Sequence, residues 1–76
     1  MTFEHDPDHD SGYLAFCAIE PGDVARTVQV DLPGGQLMLD VGHDGRVLGI
    51  EALNASRVLP PALFGHGDQG LGLSKP

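Results

Sequence analysis

One cysteine, Cys17, stands alone among 76 residues. The chain can therefore form no internal disulfide and holds no cysteine pair for structural zinc. A reducing, cytoplasmic setting is the matching expectation. Tryptophan is absent, and one tyrosine and three phenylalanines supply all the aromatic carbon. Positive charge is equally scarce: four basic residues face 11 acidic ones, a formal charge of −7. Direct binding to nucleic acid is excluded as an expectation, because that affinity comes from Lys and Arg neutralising phosphates. Anionic membrane surfaces are disfavoured for the same reason. A basic protein partner or cations suit this charge better. No apolar run approaches the ~18–20 residues that span a bilayer. No basic stretch leads into an apolar one, so a secretory leader is not expected. There is no internal repeat and no phosphate loop. Pro33-Gly-Gly35 reads as a turn, and Gly65–Gly70 lacks the required Lys-Ser/Thr ending.

What the chain does contain is a legible β-hairpin, Gln36–Leu53. Asp44-Gly45 predicts a type I′ turn, which needs φ > 0 at both central positions. That register sets His43 against Arg46, Val41 against Leu48, Leu39 against Ile50 and Leu37 against Ala52, all on one face. Upstream, Val24–Asp31 alternates and is rich in β-branched residues, the pattern of a half-exposed strand. Val24, Val28 and Val30 share its apolar face with Arg26. A turn at Leu32–Gly35 brings Val30 opposite Leu37 and Val28 opposite Leu39, so the apolar faces coincide. Tyr13–Ile19 reads as another strand, buried on both sides, and Glu20-Pro-Gly-Asp23 ends it. Met1–Gly12 reads as an acidic surface segment. Asn54–Leu59 predicts a short helix with Asn54 as N-cap, stopped by Pro60-Pro61.

The expected fold is thus mainly β, a small α+β domain. It is a four-stranded antiparallel meander over residues 1–59 with one short C-terminal helix. Residues 60–76 form a Gly/Pro-rich tail, in which Ala62–Phe64 and Leu71–Leu73 are the segments able to dock. One face of such a sheet is apolar and must be covered. Six hairpin side chains at ~1.5–3 kcal/mol each represent on the order of 10 kcal/mol, realised only under cover. A helix of about 9 Å is too short to provide it. A second copy of the chain is the expected cover, giving a dimer or higher homo-oligomer. The alternative is a monomer plugged by Phe64.

With the strands laid out, the chain resembles a small uncharacterised prokaryotic family, domain of unknown function 2283. The segment His5-Asp-Pro-Asp-His-Asp-Ser-Gly-Tyr-Leu is similar to the family's opening pattern. Asp6, Asp10 and Tyr13 match it, and His5 stands where an aromatic is usual. Val24–Val30 resembles its second strand. Asp44-Gly-Arg-Val-Leu-Gly-Ile-Glu-Ala-Leu-Asn-Ala-Ser56 resembles its most specific segment, with Asn54 in place of Asp. The resemblance covers about residues 5–59 and carries no agreed activity. Some members look like partners of neighbouring small toxin-like proteins. The resemblance therefore implies an antitoxin-like role and transfers no residue role.

Few constellations could carry chemistry. His5, Asp6, His9 and Asp10 form the candidate metal site within the acidic cluster that also holds Asp8. Imidazole suits zinc, nickel or copper, and carboxylates suit magnesium, calcium or manganese. The spacing does not fit a calcium loop, since Gly12 and Cys17 fall where Gly and Glu are displaced or missing. The plain reading is a solvated turn, with Asp6 or Asp10 capping backbone amides. Cys17 reads as a buried apolar side chain, with His43 or His66 the partners a nucleophile would need. Arg26 reads as snorkelling at the sheet edge or pairing across an interface. Glu51 reads as an exposed strand residue opposite Met38, and Gly49 as a site of close strand approach or a bulge. The functional expectation is a non-enzymatic protein-interaction module with no cofactor. The alternative is a divalent-metal-binding protein or enzyme using the His/Asp cluster.

Overall fold

The computed structural model describes residues 1–64. Five strands form one antiparallel sheet: β1 (Thr2–Asp6), β2 (Ser11–Ala15), β3 (Val24–Leu32), β4 (Gly35–Gly42) and β5 (Val47–Leu53). Their spatial order is β1-β2-β5-β4-β3. A helix α1 (Ala55–Val58) and a 3-10 turn (Pro61–Leu63) follow. No helix among the described residues is long and apolar enough to cross a membrane.

The β3-β4-β5 meander follows the alternation of its apolar residues. Val30 pairs with Leu37 and Val28 with Leu39. Leu39 pairs with Ile50 and Leu37 with Ala52. Two features differ from the sequence reading. The segment Met1–Gly12 is not a mere surface lead-in: it supplies β1, which pairs with β2 in a fifth-strand hairpin. The strand expected over Tyr13–Ile19 runs instead from Ser11 to Ala15 and pairs with β5, not β3. The order is therefore not strictly sequential. Residues 16–23 carry the chain past the sheet end, and the His43 ring bonds the Gly22 carbonyl there at 2.9 Å.

The Asp44-Gly45 turn is also not type I′. Gly45 has φ 85°, but Asp44 does not have positive φ. The Gly45 N–H donates to the Gly42 carbonyl at 3.0 Å, and the Gly42 N–H to Arg46 at 2.8 Å. This is a three-residue loop ending in a left-handed glycine, the geometry that carries a bulge. Val41 accordingly pairs with Val47 rather than Leu48, with a register shift after Asp40. The slip is confined to the tip, because a one-residue shift further in would turn Leu37 and Leu39 off the apolar face.

The registers align two rows across the inner face. One runs Phe3, Leu14, Ile50, Leu39, Val28, and the other His5, Gly12, Ala52, Leu37, Val30. Leu14 thus shares the apolar face with Ile50 and Leu39. The helix packs on β2, β4 and β5 at one end of this face. Ala52 and Ala55 are fully buried there, and Val41, at the far end beside the β4–β5 loop, is nearly so. Phe64 sits edge-on against Phe3 and His5, at 5.5 Å and 4.7 Å between centroids. It docks on the β1 edge rather than plugging the centre. The expected segments Gly65–Gly70 and Leu71–Leu73, with His66, lie outside the described residues.

Candidate functional site

The outer face of the sheet collects the polar residues of the alternating strands. Its rows are Thr2, Ala15, Gly49, Asp40, Thr27; then Glu4, Tyr13, Glu51, Met38, Gln29; then Asp6, Ser11, Leu53, Gln36, Asp31. Five of these positions are Asp or Glu, and none is Lys or Arg. Between β1 and β5 the face dips into a hollow of about 260 Å³ bordered by Glu4, Asp6, Ser11, Tyr13 and Glu51.

One bonded network spans this face. The Tyr13 hydroxyl donates to Asp40 Oδ2 at 2.7 Å, and the Thr27 hydroxyl donates to Asp40 Oδ1 at 2.7 Å. Side chains from β2, β4 and β3 are so joined across β5. Tyr13 can reach Asp40 because β5 offers Gly49 beneath the ring. A Cβ at Gly49 would lie 2.7 Å from Tyr13 Cζ and 2.9 Å from Cε2. The approach at Gly49 comes from a side chain, not from the strand expected there. Asp40 and Thr27 were not singled out by sequence. The available signal was an interior strand glycine with an aromatic one strand away, a pairing in which the ring covers the glycine.

Burial pushes the Tyr13 hydroxyl up to about 12, with its Asp40 hydrogen bond and that carboxylate's charge adding to the effect. Tyr13 is the single tyrosine and tryptophan is absent. Ultraviolet titration of phenolate therefore reads this one group. Its midpoint should fall near 12, well above the ordinary value of about 10, while circular dichroism stays native. Asp40→Asn should bring it down. The sign follows: the folded value is raised, so the stabilisation is whole below the unfolded value and is lost as pH climbs through the folded one. A wild-type midpoint at the ordinary value with the fold intact would contradict the network.

The four candidate metal ligands fall into two separate pairs. His5 lies on the inner-face row beside Gly12, and its Nε2 is 3.2 Å from Asp10 Oδ1. Asp6 starts on the outer face, and its Oδ2 is 2.8 Å from His9 Nδ1. Asp6 Oδ1 also accepts the Asp8 N–H at 3.0 Å, closing the β1–β2 turn. Among the described residues no group of three or more His, Cys, Asp or Glu is placed to hold a metal ion.

Asp10 does different work. It has φ 48° at the end of the hairpin turn. Its carbonyl accepts the Ala55 N–H at 2.7 Å. Its carboxylate accepts the Ser56 N–H at 3.1 Å and the Ser56 hydroxyl at 2.6 Å. The N-terminus of α1 is thus capped from another part of the chain. Asn54 occupies the N-cap position, as expected, but makes no capping bond with its side chain. It takes φ 57° and donates its amide to the Gly34 carbonyl at 3.2 Å. An Asp could not make that donation. The Ser56 hydrogen bonds, aided by His5, hold the Asp10 carboxyl below its usual range. The His9 hydrogen bond does the same for Asp6.

Cys17 is exposed, not buried, because the strand that was to enclose it ends at Ala15. Arg26 pairs with Val41 on the apolar face and makes no ion pair among the described residues. Glu51 is exposed between Tyr13 and Met38, as expected.

No curated protein and no solved structure matches the chain. A family model described as "Protein of unknown function (DUF2283)" matches residues 3–56. That span begins at Phe3 of β1 and ends at Ser56, the residue Asp10 holds. The chain belongs to the DUF2283 family of proteins of unknown function.

Proposed function

We propose that this chain is a non-enzymatic protein-interaction module that presents the acidic outer face of its sheet to a basic protein partner. The observation that carries this reading is the charge of that face: five carboxylates and no Lys or Arg among the outward positions of five strands. One-signed fields of this kind steer oppositely charged partners and suppress like-charged ones. A second observation supports it. Of the motif residues that carry the family resemblance, Asp10 and Ser56 hold each other, Tyr13 holds Asp40, and Gly45 makes the turn. Glu51 makes no side-chain hydrogen bond or ion pair among the described residues, so its carboxylate faces outward beside the hollow. An antitoxin-like protein that masks a basic toxin is one form this module could take.

The test is capture from native lysate at low and high salt, using wild type and a Glu4→Gln/Asp31→Asn/Glu51→Gln variant. Wild type is expected to retain a protein of basic isoelectric point at low salt, lost with salt and in the variant, as screening requires. Capture indifferent to both salt and these carboxylates, or no capture, overturns the reading. The His/Asp metal alternative has its own check. A ligand that binds only the folded state must raise Tm. With His5 and His9 each paired to a carboxylate, added zinc, nickel, manganese or calcium is expected to leave Tm unchanged.

A further inference from the structure

We infer that the inner, apolar face of the sheet is the contact surface for a second copy of this chain. Its cover by the described residues is partial. The helix closes the end around Ala52 and Ala55, and Phe64 closes the β1 edge. The row Leu14, Ile50, Leu39, Val28 lies beyond them, and none of the four reaches burial. Val28 is 36% exposed, and nearby Phe16 is 43% exposed. Not one large side chain among the described residues is fully buried. A chain this small commonly finds its missing core in association.

Three points identify the occupant. Residues 65–76 offer Leu71 and Leu73 as their large apolar side chains, among four glycines, fewer than the open row would take up. The dimensions fit an interface. At ~3.4 Å per residue and ~4.8 Å between strands, the five strands occupy a flat footprint of roughly 550 Å². Part of it already lies under α1 and Phe64, so the open remainder falls below the roughly 800 Å² per partner of a standard interface and matches a small one. The shape is suited to itself, because β5 is the middle strand of five and Ile50 is flanked by Leu14 and Leu39. A two-fold partner therefore meets leucine and isoleucine with leucine and isoleucine, the composition of a packed sandwich interior. The acidic outer face cannot serve, since it would set like charges together.

The experiment is size-exclusion chromatography with light scattering on the full chain over a concentration series. The variants are Ile50→Asp and Val28→Glu, each checked by circular dichroism. Ile50→Asp places a charge at the centre. Val28→Glu places one at an edge strand already open in the single chain, so it should fold even where the first does not. Wild type is expected at about twice the 8.0 kDa chain mass, or a higher multiple. The folded variants are expected to fall to one chain, with an apparent dissociation constant raised at least tenfold. A monomeric wild type overturns the inference. So does an oligomer that survives Val28→Glu in the folded state, which would point to edge pairing. The Glu4/Asp31/Glu51 variant lies on the opposite face and should keep the wild-type mass. Failure here and failure of the outer-face reading are thereby separable.

Discussion

Gly49→Ala is expected to cost stability out of proportion to one methyl group. The new Cβ would sit 2.7 Å from Tyr13 Cζ and closer still to its hydroxyl. β5 cannot retreat, because it is paired on both sides by β2 and β4. The ring has to leave instead, and with it goes the bond to Asp40. Forcing extra carbon into a filled site costs about 1–3 kcal/mol. The lost hydrogen bond is part of the same event, and Asp40 keeps Thr27 and gains water. Removing a glycine from a strand returns about 0.5–1 kcal/mol. The net expectation is a loss of about 1–2 kcal/mol, or roughly 4–16 °C in Tm for a chain of this size. Urea unfolding measures it, and a cycle with Tyr13→Phe tests the cause. If the clash acts through the hydroxyl's bond to Asp40, the double variant is less stable than wild type by clearly less than the sum of the singles. Strict additivity, or a Gly49→Ala protein as stable as wild type, would refute the arch of Tyr13 over Gly49.

Asp10→Ala is the second large effect. It removes the acceptor for the Ser56 N–H and hydroxyl and for His5. It also puts a methyl side chain at φ 48°, where Asp and Asn are tolerated and Ala is strained. Loss of a cap and this strain act together, and a fall in Tm of roughly 5–10 °C is expected. Asp10→Asn keeps the backbone and one acceptor oxygen, so it should fall less. Ser56→Ala should fall less again, since the Ser56 N–H stays capped. The same site governs acid stability. The folded Asp10 and Asp6 carboxyls lie below the ordinary 3.8. Their contribution is therefore present above that value and fades as pH drops through the lower folded ones. Acid unfolding followed by circular dichroism should begin at higher pH in Ser56→Ala, which removes the largest cause of the Asp10 shift. An unchanged acid midpoint in that variant would remove Asp10 from the acid transition.

Much of the sheet was legible because period-two alternation is a local signal. Val28, Val30, Leu37, Leu39, Ile50 and Ala52 announce both strand and register. The β1–β2 hairpin was not legible in the same way. Thr2–Asp6 carries a single large apolar residue, Phe3, and its neighbours read as acidic surface. Its strand character comes from backbone pairing with β2. The type I′ expectation failed because Asp-Gly serves two turn families, and the choice depends on how many residues the flanking strands leave between them. Of the candidate site, the residue types were visible and the partners were not. His5, Asp6, His9 and Asp10 crowd together in sequence, yet alternation sends His5 and Asp6 to opposite faces of β1.

Composition and local alternation were enough for a mainly antiparallel β chain of strong negative charge, with the meander β3-β4-β5 in register and no internal covalent brace. Those properties follow from composition and from contacts between neighbouring segments. Long-range packing was needed to bring β2 beside β5, to let Asp10 cap a helix that starts 45 residues later, and to carry Tyr13 over Gly49 to Asp40. Each of these joins segments distant in the chain. Their energy comes from a partner's hydrogen-bond geometry or missing side chain, which no local pattern records.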